Sequence, residues 1–213
     1  MDTQQPFVIT ISRELGSGGH TVGQILAERL DVRYSDKDLI AALRERFNLT
    51  TYAIEELKGK KKNWLSDFIQ LVAPVPRANL MDLRPKYTQE FRPEVITDDI
   101  YYAEAEILTG IAAEGACVIA GRSGFFILRN LPNKLDVFIT ASFENRVNRV
   151  VKKQGYTREQ AAALIEKVDE MRENYVKRYT GRSRYDSRNY DLVLNADGHT
   201  EDELADIILR YIG

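Results

Sequence analysis

The sequence predicts a three-layer α/β fold built on a parallel sheet of about five strands. Short, nearly continuous apolar runs recur along the chain, as expected of strands covered on both faces, and stretches with apolar residues at helical spacing lie between them. The strand candidates are FVITIS (7–12), ACVIAG (116–121), LDVFITA (135–141) and YDLVLNA (190–196), with a weaker fifth at VRY (32–34).

Three helices have readable starts. The first runs from about Thr21 to Leu30, with Val22, Ile25, Leu26 and Leu30 on one face. A second opens at Thr157-x-x-Gln160, where the hydroxyl and the amide can satisfy each other's backbone N–H groups, and continues through Ile165, Val168, Met171, Tyr175 and Tyr179. The last opens at Thr200-x-x-Glu203. Between about 41 and 112 the alternation breaks: four of the six prolines and the basic run KGKKKNW (58–64) fall there, which reads as a helical, loop-rich insertion within one domain spanning 1–213. KGKKK itself reads most simply as a solvated turn.

Bulk properties remove several function classes. At 213 residues and 44% hydrophobic composition, the chain can bury a sizeable core. No apolar run approaches the roughly 20 residues of a membrane span, and MDTQQPFVI lacks the basic start and long apolar stretch of a signal peptide, so a cytoplasmic protein with no membrane partner is expected. The single cysteine, Cys117, excludes an intrachain disulfide and a cysteine-cluster metal site, and its apolar surroundings point to a buried, inert thiol. A net charge of −2 is not that of a protein basic all over, so general nucleic-acid binding is not expected.

The chemistry concentrates in SRELGSGGHTVG (12–23), between the first strand and the first helix. Gly16, Ser17, Gly18, Gly19, His20 and Thr21 occupy the place of a phosphate loop, where glycines bring backbone N–H groups against an anion at a helix N-terminus. A GxxxxGK[ST] loop also carries a lysine that reaches the terminal phosphates. Here that lysine is missing, and Thr21 stands where a Mg²⁺-directed hydroxyl would be. Arg13, just ahead of the glycines, is the candidate replacement, since its planar fork can bind phosphate oxygens in pairs; its other reading is an ion pair with Glu14 or a nearby carboxylate. His20 reads as a surface residue or a phosphate contact. Arg122 follows a strand toward the carboxyl edge of the sheet, where open α/β folds bind ligands. Asp36 either orients substrate or caps the next helix.

The segments ITISRELGSGGHTVGQILAERL, RYSDKDLI, CVIAGRSGFFIL, VFITASFENRVNRV, DEMRENYVKRYTG and YDLVLNA, in this order, resemble the cytidylate kinase-like family, a branch of the nucleoside monophosphate kinases. The resemblance covers nearly the whole chain and is weakest between about 45 and 100. It implies a P-loop kinase-like fold with a helical substrate-binding insertion and an arginine-bearing lid, ATP as phosphate donor, Mg²⁺, and a small phosphorylated acceptor. Laid on the family's GxxxxGKGT loop, Arg13 takes the first glycine, Gly18 the second, Gly19 the lysine and Thr21 the threonine. Gly121-Arg122-Ser123 resembles the family's GRD, with Ser123 in place of the aspartate, and DKDLI at 36–40 keeps Asp36 but puts Ala42 where an arginine would hold substrate phosphate.

Residues 172–188 carry six basic and two acidic side chains, a contrast that suggests an anionic partner. In the resembled family Arg172, Arg178, Arg182 and Arg184 would fall in or beside the lid. A solvated helix end is the plain alternative, and the interleaved Tyr175, Tyr179 and Tyr185 leave an RNA-stacking surface as the weaker one. The expected function is a phosphotransferase resembling cytidylate kinase that moves the ATP γ-phosphate to a nucleoside monophosphate or similar acceptor. A catalytically weak nucleotide or phosphate sensor on the same fold is the rival reading, and a homo-oligomer is left open. Arg13, Arg122, Arg172, Arg178 and Arg182 are the expected catalytic cations; Asp36, Arg122, Ser123 and Arg184 are the expected substrate contacts.

Overall fold

The computed structural model describes residues 1–36 and 97–213, with the side chains of 97–100 left aside. The element order is β1 (Val8–Arg13), α1 (Gly19–Arg29), β2 (Arg33–Ser35), α2 (Thr97–Glu114), β3 (Cys117–Ala120), α3 (Gly124–Ile127), β4 (Lys134–Thr140), α4 (Phe143–Gln154), α5 (Arg158–Thr180), β5 (Leu192–Asn195) and α6 (Glu201–Ile212). The five strands form one sheet in the order β2-β3-β1-β4-β5, and every pairing is parallel. The family of contacts that the basic run 58–64 and the four prolines would make lies outside the described residues, as does the segment that follows Asp36.

The alternation of side chains along a strand explains why the runs read as continuously apolar. Ile9 and Ile11 of β1 join Val118, Leu135, Val137 and Ile139 in one core layer, closed by Val22 and Leu26 of α1 and Leu204 and Ile208 of α6. Val8, Cys117 and Ile119 face the other way, against Ala103, Leu108 and Ile111 of α2 and Leu128 after α3. A third cluster, with Val147, Val150, Leu164, Ile165 and Val168, joins α4 to α5 and takes in Leu15 of the glycine loop. Cys117 is buried, and burial pushes its thiol up to about 11. The reading of four strands covered on both faces fails for β5, which ends the sheet and leaves Val193 43% exposed.

Local chemistry fixes the helix ends. The hydroxyl of Thr157 accepts from Gln160 N and that of Thr200 from Glu203 N, and both capping boxes are complete. Helix α4 had no separate expectation. Its sequence FENRVNRVVKKQ is mostly polar, yet Ser142 caps its start by accepting from Asn145 N and Gly155 ends it at φ 70°. Helix α1 begins two residues earlier than periodicity suggests, because Gly18 at φ 87° turns the chain directly into it. Among the described residues, no helix is long and apolar enough to cross a membrane.

Candidate functional site

The carboxyl ends of β1, β2 and β3 meet the N-terminus of α1, and four of the singled-out residues converge there. Arg13 ends β1. One terminal nitrogen of its guanidinium lies 3.5 Å from Asp36, which follows β2. Asp36 also pairs with His20 Nδ1 at 2.9 Å. The hydroxyl of Tyr34 donates to the His20 carbonyl at 3.2 Å and stands 3.0 Å from Nδ1, so it braces the ring. Burial alone would raise the Asp36 carboxyl, but the His20 hydrogen bond and the charges of Arg13 and Arg122 outweigh it and hold the group well below the usual carboxylate range.

Arg13 does not pair with Glu14, the alternative raised by its sequence neighbour. Glu14 turns the other way: its carboxylate accepts from the Thr140 hydroxyl and, at 3.4 Å, from Ala141 N. Ser17 is buried and its hydroxyl donates to the Glu14 carbonyl at 2.9 Å, which closes the loop on itself. Gly16 (φ 84°) and Gly18 (φ 87°) take left-handed conformations, and a Cβ on Gly16 would meet the Arg146 carbonyl oxygen at 2.7 Å. Thr21 lies in the first turn of α1, half-buried.

Arg122 and Ser123, which follow β3, are both left-handed, at φ 57° and 55°, rare for residues with a Cβ. The Arg122 guanidinium donates to Glu104 Oε1 of α2 at 3.3 Å, and Glu104 is fully buried. Tyr175 of α5 donates to the other Glu104 oxygen. Ser123 is buried at the start of α3, and its Oγ has no hydrogen-bond partner among the described residues.

The arginines of 172–188 divide. Arg172 and Arg184 reach back to the strand end and both donate to the Arg13 carbonyl, at 3.1 and 2.5 Å. Arg184 is 4% exposed and also pairs with Asp169 at 3.4 Å. Burial first, then repulsion from Arg13 and Arg184, pushes Arg172 down to about 9. Arg178 and Arg182 are exposed instead, on the last turn of α5 and just beyond it, where Arg182 donates to Asn189 at 3.1 Å. The sequence reading missed Asp169 and Glu104. Each is an acid on the buried face of an otherwise apolar helix stripe, Val168 to Val176 in one case and Glu104, Leu108, Ile111 in the other, and that misfit was the available signal.

Among the described residues no group of three or more His, Cys, Asp or Glu is arranged to hold a metal ion. Such a group is not needed for Mg²⁺, which keeps several waters and is commonly bound through one or two oxygen ligands plus substrate phosphates.

A family model described as the cytidylate kinase-like family matches residues 8–198. The chain belongs to that family. It is similar to a cytidylate kinase of Sulfurisphaera tokodaii, 25% identical over 209 residues that cover 96% of this chain and 94% of the relative. Among solved structures, an uncharacterised protein from Eubacterium ventriosum superposes with a TM-score of 0.68 at 24% identity, over 97% of this chain and 98% of that one. Shikimate kinase from Acinetobacter baumannii gives 0.53 at 14% identity, over 99% and 94%. The fold is therefore that of the P-loop kinases. Against the GxxxxGKGT pattern of the cytidylate kinase-like family, the present loop keeps Gly18 and Thr21, has Gly19 at the lysine and carries Arg13 at the first glycine.

Proposed function

We propose that the protein is an ATP-dependent phosphotransferase that passes the γ-phosphate to a nucleoside monophosphate or similar small phosphorylated acceptor. The observation that carries this reading is the convergence of Arg13, Arg122 and Asp36 on the mouth of the glycine loop, at the carboxyl edge of a parallel sheet. The N–H groups of residues 16–21 and the α1 N-terminus cradle the donor phosphates. Thr21 would hold Mg²⁺, which would neutralise charge on the donor phosphates. Arg13 and Arg122 supply positive charge where the phosphoryl group changes hands.

Such a reaction asks little covalent chemistry of the protein. A phosphomonoester's second pKa is about 6, so the acceptor oxygen is already largely anionic near neutral pH, and positioning with charge neutralisation carries the catalysis. The scarcity of histidine is consequently no obstacle. Arg172 and Arg184, through the Arg13 carbonyl, couple α5 to the strand end that bears the cation.

The rival is a binding module that holds a nucleotide without efficient transfer, and Gly19 at the lysine position favours it. Calorimetry with ATP, GTP and CMP in the presence of Mg²⁺, followed by coupled turnover over a nucleotide panel, separates the two. Heat of binding with turnover supports the phosphotransferase; binding without turnover leaves the sensor; no change in heat or melting temperature with any of the three removes the nucleotide reading.

A further inference from the structure

The side chain of Arg13 lies in a slot between two glycines. A Cβ on Gly19, the first residue of α1, would stand 2.6 Å from the Arg13 Cβ and 3.2 Å from its Cγ. A Cβ on Gly121, after β3, would stand 2.1 Å from a guanidinium nitrogen. The first conflict is with the base of the side chain, which no rotamer change relieves. Position 19 is therefore held to glycine while position 13 carries any side chain, and a lysine at 19 conflicts with the arginine at 13.

The slot also aims the charge. In the sheet order β2-β3-β1-β4-β5, Asp36 and Gly121 both lie on the β3 side of β1. The loop leaves the same strand end in the other direction: Glu14 N donates to Ile139 O of β4, Gly16 packs on the Arg146 backbone of α4, and Gly18 packs on the Arg149 guanidinium. The glycine turn thus leans toward β4 and α4, whereas the Arg13 guanidinium, with His20 at the α1 end of the cradle, faces β2 and β3. Beside Arg13 on that second side, Arg122 is close enough for its charge to act on Asp36.

We propose that Arg13 is an acceptor-side residue: with Arg122 it binds the phosphate group of the acceptor, while the donor is held by the loop's backbone amides without a side-chain cation at position 19. Gly19 and Gly121 are positioning residues for that guanidinium, and Asp36 fixes its fork. This rests on the phosphotransferase reading above. Lost at Arg13, the acceptor's phosphate still meets Arg122, and the donor keeps the loop's backbone amides.

The test is calorimetry on wild-type and Arg13→Ala protein, with ATP and Mg²⁺ as one probe and with CMP or orthophosphate, added to the ADP and Mg²⁺ complex, as the other. The expected result is a rise of tenfold or more in Kd for CMP or orthophosphate and less than threefold for ATP. Arg13→Gly/Gly19→Lys, which keeps the net charge and moves it into the loop, should fail to restore the acceptor probes. Gly121→Ala should weaken them with the arginine still present; circular dichroism checks its folding, and Arg13→Ala decides the matter if it unfolds. Any other pattern for Arg13→Ala overturns the proposal, including a threefold or greater loss of ATP or acceptor probes that bind no differently. Wild-type protein that binds no ATP would sink the phosphotransferase reading itself, whereas ATP binding that depends on Arg13 would sink only the acceptor-side assignment.

Discussion

The Arg146 guanidinium of α4 forms a buried ion pair with the Asp169 carboxylate of α5, directly against the backbone of Leu15 in the glycine loop. Asp169 accepts from Leu15 N at 3.1 Å and from Arg184 at 3.4 Å, so one carboxylate ties two helices, the loop and the returning chain. Asp169→Ala leaves Arg146 and Arg184 buried without the carboxylate they share. Breaking a buried pair from one side costs about 3–5 kcal/mol. Urea unfolding should show a loss on that scale, and a loss under 1 kcal/mol would mean that solvent screens the pair.

Glycine substitutions should sort by what a new Cβ meets. Gly16→Ala combines φ 84° with a backbone oxygen at 2.7 Å, and overpacking of this kind costs about 1–3 kcal/mol. Gly110→Ala, inside α2 with nothing described within 4 Å, should instead stabilise by about 0.5–1 kcal/mol through helix propensity. Thermal melts of the two variants should move in opposite directions.

Asp36 gives the acid limb of stability a defined sign. Its folded pKa is depressed, so its contribution is fully present above the unfolded value of about 4 and is lost as pH falls through the lower folded value. Asp36→Asn should cost about 1.5–3 kcal/mol at neutral pH, the scale of a hydrogen bond to a charged group. Between about pH 5 and pH 2 the variant's melting temperature should fall less steeply than that of the wild type. Parallel curves would show that Asp36 titrates elsewhere.

Arg172 should respond to anions. At neutral pH it stays protonated in both states, but burial and the like charges of Arg13 and Arg184 make the native state hold it at a cost, as its lowered pKa of about 9 records. An anion at the cluster relieves that cost. Sulfate at about ten times its Kd should stabilise by about 1.4 kcal/mol and raise the melting temperature by about 3–6 °C. Arg172→Gln should lose at least half of that rise; an undiminished rise would place the anion elsewhere.

Much of the fold was legible because strand burial on two faces leaves an unbroken apolar run, visible in Val8 to Ile11 or Val137 to Ile139 without any tertiary knowledge. The capping boxes at Thr157 and Thr200 were equally local. Helix α4 escaped because only its Val147 and Val150 are apolar and buried, too few to make a stripe among charged neighbours. At the site, the approach of Arg13, Arg122 and Asp36 follows from their places at strand ends. The meaning of Asp169 and Glu104 does not, because it depends on side chains 23 and 71 positions away, Arg146 and Tyr175. The exposed Arg178 and Arg182 show the limit of charge counting: the basic run was evident, but helical phase and the turn at Gly181 decided which members reach the strand end.

The slot between Gly19 and Gly121 also governs how this sequence can drift. With Arg13 in place, any side chain at 19 meets its Cβ, and an alanine at 13 would keep that Cβ. A lysine loop is thus reachable only through glycine at 13, an intermediate with neither cation. Descendants of a chain that once acquired the arginine are held on its side of that valley, because any side chain at 13 holds position 19 to glycine.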